Sequence, residues 1–404
     1  MRRNWASARL SGLRMAPLER GSLESLVASK EIVVCCGPGG VGKTTVAASI
    51  AATAAVRQPA NVLVFTVDPA RRLADALGVG LEGNAIHEVP KEAFSALGLR
   101  PRGRLWAGML DTKACWDDLI SRHSPDRRTA DRLLANPLYN NLTSRFAASH
   151  DYVAAERVFE LHRQGEYDLI VVDTPPSRHA LDFIDAPRLM EEFFSSRLAR
   201  WLLGPQRARL AGLASRPFAF VADRLLGSQL LEQLAEFFLL FQSLYGSLTE
   251  RVREVSALLA DNRSSFVVVT TLEYVPAQES RVLLEALRAR KLPLGAIVAN
   301  KVLPSYLTDP ELAGLGERIE KAASELAGKL AAEAGTDLDS GLIERVLREI
   351  GQSFGGYQVV AMREAEQFGA LARFAPEVVV SAERMPRELT DLEGLIALGN
   401  SIWT

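Results

Sequence analysis

Residues Gly37 to Thr44 read Gly-Pro-Gly-Gly-Val-Gly-Lys-Thr, the pattern G-x-x-x-x-G-K-T. Glycines at these places let successive backbone N–H groups turn inward toward a phosphate. A Lys at the position of Lys43 reaches the β- and γ-phosphates, and a hydroxyl at Thr44 ligates Mg2+. Gly37, Gly39, Gly40, Val41, Gly42 and Thr45 complete the predicted phosphate-binding set. Two acids stand at the ends of apolar runs. Asp173 closes Leu-Ile-Val-Val-Asp, where a phosphate-loop enzyme holds Mg2+, usually through water. Asp68 closes Phe-Thr-Val-Asp; it suits a residue that orients or deprotonates an attacking water, and equally an N-cap for a helix over 70–77. The two readings of Asp68 are compatible, and it joins Thr44 and Asp173 among the candidate metal ligands. Asn300 follows a third run, Ala-Ile-Val-Ala-Asn. An amide donates and accepts at once and so suits an adenine edge. A guanine reader would carry a carboxylate three residues on; Leu303 stands there, so ATP is preferred to GTP.

These residues must be placed by strands and helices. Six short, β-branched-rich runs read as buried strands: 31–36, 61–67, 105–110, 167–172, 265–271 and 294–299, with weaker candidates at 357–361 and 378–381. They alternate with helical stretches, among them an Ala-rich helix over 44–55. That predicts an α/β fold with a doubly wound, mostly parallel sheet of the phosphate-loop NTPase type. About 90 residues, 177–262, carry no strand signal and read as a helical insertion, and 309–352 reads as a second helical segment. Residues 1–21 are expected to be a disordered tail and 22–404 a single domain.

Of the 404 residues 48% are hydrophobic and 24% charged, which excludes disordered and collagen-like classes. The net charge of −2 gives no footprint for nucleic acid. Mean hydropathy is +0.04, yet no run of about 18 apolar residues is present. Three cysteines, Cys35, Cys36 and Cys115, cannot make a disulfide framework, and this fits a reducing cytoplasm.

The runs GPGGVGKTT, VDPARRLADALG, VVDTPPSRHALDFIDAPR and TTLEYVPAQESRVLLEAL together resemble the arsenical-pump and tail-anchored-protein-targeting ATPases, members of the deviant Walker A class. The resemblance extends from about residue 31 to 403. It implies ATP hydrolysis at a homodimer interface, or between this chain and a related ATPase. It further implies that Asp68 activates water, Asp173 is the switch II acid, Asn300 contacts adenine and Glu273 contacts nucleotide across the dimer. Three departures stand out. Pro38 occupies the place of the Lys that family members send into the partner's site; Arg71, Arg72 and Arg178 are candidate substitutes, and slow hydrolysis is expected. The cysteines do not form the convergent soft-ligand site that arsenite requires. No CxxC is present to clamp a zinc-bridged dimer.

Residues 229–245 are amphipathic at helical spacing: Gln229, Glu232, Gln233 and Glu236 on one face, with Leu230, Leu234, Phe237, Phe241 and Leu244 opposite. Phe193, Phe194, Trp201, Leu202 and Leu203 form a second apolar cluster. The alternatives are ordinary core packing and a groove for a hydrophobic client helix or membrane protein. Interleaved arginines, from Arg197 to Arg224, suit either a solvated face or peripheral contact with anionic lipid. Three outputs follow from these features: targeting of hydrophobic segments, a nucleotide-gated regulator with a soluble partner, or a metalloid-pump subunit.

Overall fold

The structure is a computed structural model that describes residues 21–67, 72–80, 84–137, 139–140, 147–174, 185–186, 188, 191–192, 236–237, 240–334 and 339–403. Eight strands form one sheet in the order β3-β4-β2-β5-β1-β6-β7-β8. They are β1 (Ile32–Cys36), β2 (Asn61–Thr66), β3 (Ile86–Glu88), β4 (Arg104–Met109), β5 (Leu169–Asp173), β6 (Ser264–Thr270), β7 (Leu294–Val302) and β8 (Val378–Glu383). Every pairing is parallel except β3 with β4. The doubly wound α/β class is therefore observed, with one antiparallel strand at an edge.

The sheet is buried on both faces because helices cover both. One face packs α1 (Leu23–Ala28), α2 (Lys43–Arg57), α3 (Arg72–Leu77) and, far along the chain, α12 (Leu392–Ile402). The other packs α5 (Thr112–His123), α7 (Ala147–Gln164), α8 (Tyr245–Ala260) and α9 (Tyr274–Ala289). Short helices α4 (Lys91–Ser95) and α6 (Arg127–Leu134) join these elements. Adjacent Cys35 and Cys36 fall into the two opposite cores, as strand alternation requires.

The six main strands lie within two residues of their expected bounds at each end, save that β7 runs on to Val302. Two readings are corrected. Residues 357–361 are helix, not strand: they lie inside α11 (Ser340–Ala372), which pairs with α10 (Leu315–Ala334) as a helical hairpin. Val359 and Val360 supply local strand propensity, but Ala361 and Ala365 are buried at helical spacing, and that packing overrides it. The second helical segment also runs on to Ala372 rather than ending near 352. Strand β3 gave no signal because three residues are too few to show alternation.

The hairpin is closed by glycine. A Cβ on Gly316 would sit 2.4 Å from the Gly351 carbonyl oxygen, and one on Gly351 would sit 2.6 Å from the Gly316 oxygen. The helices meet backbone to backbone there. Among the described residues of 229–245, Phe237, Leu240 and Leu244 are buried in the core beneath the sheet, and Phe237 stacks on Phe241 at 5.5 Å. Glu236 pairs with Arg132 on α6 at 2.6 Å. The apolar cluster around Phe193 and the arginines 197–224 lie outside the described residues, as do residues 1–20 of the tail.

Candidate functional site

Strand β1 lies between β5 and β6, yet the chain leaves it through α2 for β2, beyond β5. This is a point where winding reverses, and open α/β sheets bind ligands at the carboxyl ends of the strands there. Gly37 to Gly42 form the turn at this position. Gly42 is the N-cap of α2 with φ +91°, and a Cβ on it would lie 2.5 Å from Asn300 Nδ2. Only glycine satisfies both conditions. The α2 N-terminus that follows carries positive potential toward the turn.

Lys43 is buried, and its Nζ donates to the Pro38 carbonyl oxygen at 2.8 Å. The lysine thus spans its own loop. Gly40, Gly42, Lys43, Thr44 and Thr45 line a cleft of about 720 Å3. Asn300 and Lys301 at the end of β7 line it too, together with Asp75 and Thr174 and the segment 383–390 that joins β8 to α12. Gly37, Gly39 and Val41 belong to the loop without lining the cleft. Asn300 donates from Nδ2 to the Val41 oxygen at 2.8 Å, and its Oδ1 accepts from Lys301 N at 3.0 Å. The predicted base reader therefore also fastens the loop.

Asp173 is fully buried at the end of β5, paired in register with Cys35 of β1 and Thr66 of β2. The Thr66 hydroxyl donates to Asp173 Oδ2 at 3.0 Å. Thr174, the next residue, donates from Oγ1 to the Cys35 oxygen at 2.9 Å. Thr44 and Asp173 thus belong to adjacent connections at one edge of the sheet, and a hydroxyl with a carboxylate is a donor set that suits Mg2+. Asp68 lies outside the described residues, as do Arg71, Arg178 and the side chain of Arg72. Glu273 is the exposed N-cap of α9 and does not line the cleft. It stands near Glu364, whose carboxyl is pushed up first by burial and further by Glu273. The segment 383–390 and Lys301 were missed as cleft residues. Glu-Arg-Met-Pro-Arg-Glu-Leu-Thr matches no motif, and only the return of the chain along β8 brings it there.

The three cysteines are buried. Burial raises the Cys35 thiol well above its ordinary value, with Asp173 adding to it. Burial pushes Cys36 up to about 12 and Cys115 up to about 11. Thiolate is the metal-binding form. Among the described residues no group of three or more His, Cys, Asp or Glu side chains could hold a metal ion. No helix among them is long and apolar enough to cross a membrane.

Comparison with known proteins supplies the family. The profile of the anion-transporting ATPase family matches residues 30–323. The chain is 27% identical over 290 residues to the ATPase get3 of Aspergillus terreus, covering 70% of this chain and 76% of that protein. It is 22% identical over 289 residues to an ATPase ASNA1 homolog of Entamoeba dispar, covering 70% and 80%. It is 28% identical over 307 residues to the ATPase ARSA1 of Chlamydomonas reinhardtii, covering 70% of this chain and 37% of that longer protein. With the phosphate loop, the acid ending β5 and the cleft beside α2 in place, the chain belongs to the anion-transporting ATPase family, the arsenical-pump and tail-anchored-targeting ATPases that its motifs resemble, and it is an ATP hydrolase.

Proposed function

We propose that the protein is a Mg-dependent ATPase that works as a nucleotide-switched dimer and handles hydrophobic segments of membrane proteins. The observation that carries the nucleotide part is the cleft, which joins the phosphate loop to Asn300 and the 383–390 segment. Its volume suits a nucleoside triphosphate. In this reading the loop N–H groups and Lys43 hold the phosphates. Asn300 keeps one amide hydrogen and one carbonyl lone pair beyond its two bonds, enough for an adenine edge. Thr44 and Asp173 would hold Mg2+, which supplies charge neutralisation at the phosphates. Asp68 positions or deprotonates the attacking water, with Glu273 reaching nucleotide from the second protomer.

The switch runs through Asp68 and Asp173, whose segments ATP's γ-phosphate holds and hydrolysis releases. The output is a rearrangement of the helical insertion between β5 and β6. The targeting role rests on the family resemblance and on the apolar content of that insertion. The buried cysteines, divided between two cores, speak against a metalloid pump. A nucleotide-gated regulator with a soluble partner is the remaining alternative, and peripheral membrane contact through the insertion arginines is compatible with targeting.

The test pairs turnover with sedimentation. Wild-type protein is expected to hydrolyse MgATP slowly and to sediment as a dimer with a non-hydrolysable ATP analogue. The Asp68→Asn variant should bind ATP and fail to turn it over. Wild-type turnover in that variant would remove Asp68 from the chemistry. Recovery of transmembrane segments bound to the purified protein supports targeting, whereas a stoichiometric soluble partner supports regulation.

A further inference from the structure

Lys301 has no role in the reading above beyond lining the cleft. Its backbone is left-handed, φ +58°, which is strained for a residue with a side chain. The strain sits within a slip of the β7–β8 pairing between Ala299 and Val302. In a regular strand Asn300 and Lys301 would point to opposite faces. The local turn re-aims one of them, as bulges do, and both side chains reach the phosphate loop. Asn300 Nδ2 holds the Val41 oxygen at 2.8 Å, and Lys301 Nζ holds the Gly40 oxygen at 3.1 Å.

A trans peptide points its C=O and the following N–H in opposite directions. A side chain that holds the Gly40 carbonyl therefore also fixes the direction of the Val41 N–H, and the grip on the Val41 carbonyl does the same for the Gly42 N–H. We propose that Lys301 is a positioning residue of the phosphate site: with Asn300 it clamps two consecutive peptide planes of the loop and so presets the N–H groups of Val41 and Gly42 for bound phosphate. This inference rests on the proposed binding of triphosphate by the loop. It assigns Lys301 to the phosphates rather than to the base.

The test is equilibrium binding of MgATP, MgGTP and inorganic tripolyphosphate to wild type, Lys301→Met, Lys301→Arg and Lys301→Gly. One charged hydrogen bond sets the scale, so Lys301→Met should weaken all three ligands by a common factor of about ten. KM for ATP should rise by that factor with kcat changed less than about twofold, and Lys301→Arg should recover most of the affinity. Lys301→Gly guards against misfolding, because glycine accepts the left-handed backbone without strain. It should melt no lower than wild type and still bind as weakly as Lys301→Met. Unchanged tripolyphosphate affinity in Lys301→Met and Lys301→Gly, or a change confined to the ATP-to-GTP ratio, overturns the inference while leaving the proposed function standing. Wild type that binds none of the three ligands removes the proposed function and the inference with it.

Discussion

The two faces of the sheet are built from different materials. On the α2 face the core is largely small and aliphatic: Ala47, Ala48, Ala51, Ala52, Ala54 and Ala55 are buried on α2 alone. Helix α12 packs so closely on it that a Cβ on Gly399 would sit 1.9 Å from Thr53 Oγ1 and 2.9 Å from the Ser49 oxygen. The opposite face uses bulk and charge. Trp116 and Tyr152 pack at 6.1 Å, and Arg251 of α8 is buried with Nε on Glu156 at 3.0 Å and Nη2 on Glu160 at 2.8 Å, both on α7. Arg122 of α5 adds a second bond to Glu160 at 2.8 Å. The face that carries the phosphate loop is close-packed around small side chains, which holds its backbone in place. The opposite face joins α5, α7 and α8 through an ion network, which fixes partners by direction as well as by fit.

That contrast can be broken from the charged side first. Arg251→Met leaves Glu156 and Glu160 buried beside fewer cations, and removing one partner of a buried network costs about 3–5 kcal/mol. Urea unfolding should show a loss of that order while MgATP affinity per folded molecule stays near wild type. A loss below about 1 kcal/mol would mean the network is ornamental. On the other face, Gly399→Val forces α12 away from α2, and overpacking of this kind costs about 1–3 kcal/mol. Because α12 and the 383–390 segment border the cleft, ATP affinity should fall together with stability. Lowered stability with unchanged affinity would separate the cleft from α12.

The smallest effect is a pH slope. Burial pushes the Glu156 carboxyl up to about 7, against the pull of Arg251 and Arg122. A carboxyl whose folded value is raised favours folding while protonated. Its contribution is complete below the unfolded value, near 4.3, and is lost as pH rises through about 7. Glu160 runs the other way: Arg122, Arg163 and Arg251 together outweigh burial and hold it below its ordinary value, so its contribution is lost only in acid. His123, lowered by burial and by Arg251, gains stability with rising pH. Subtracting the Glu156→Gln curve from wild type isolates Glu156. The difference should favour wild type near pH 5 relative to pH 8 by roughly 1–2 kcal/mol. A flat difference would show that Glu156 stays ionised throughout.

The α2 face was largely legible from the sequence, since one motif specifies a strand, a loop and a helix within the 26 residues from Ile32 to Arg57. Asp173 was legible as the acid ending an apolar run. The charged face was not, because Arg251 and Glu156 are 95 residues apart and no spacing rule links two helices whose packing depends on the whole sheet. The 383–390 wall of the cleft was hidden for the same reason. The misread strand at 357–361 has a local cause: β-branched residues on a helix whose partner, α10, is only visible once Gly316 and Gly351 are seen in contact. Asn300 was read as a contact to the base, and its bond to the Val41 oxygen adds a duty toward the loop that no single-residue argument supplies.

Lys43→Ala decides whether ATP is held and cleaved at the loop beside α2. Loss of a preorganised charge at the transferring phosphate costs about 100-fold or more in turnover. Steady-state hydrolysis of MgATP should fall by at least that factor in Lys43→Ala, with the unfolding midpoint close to wild type. Turnover within about threefold of wild type in a folded Lys43→Ala protein would contradict the account.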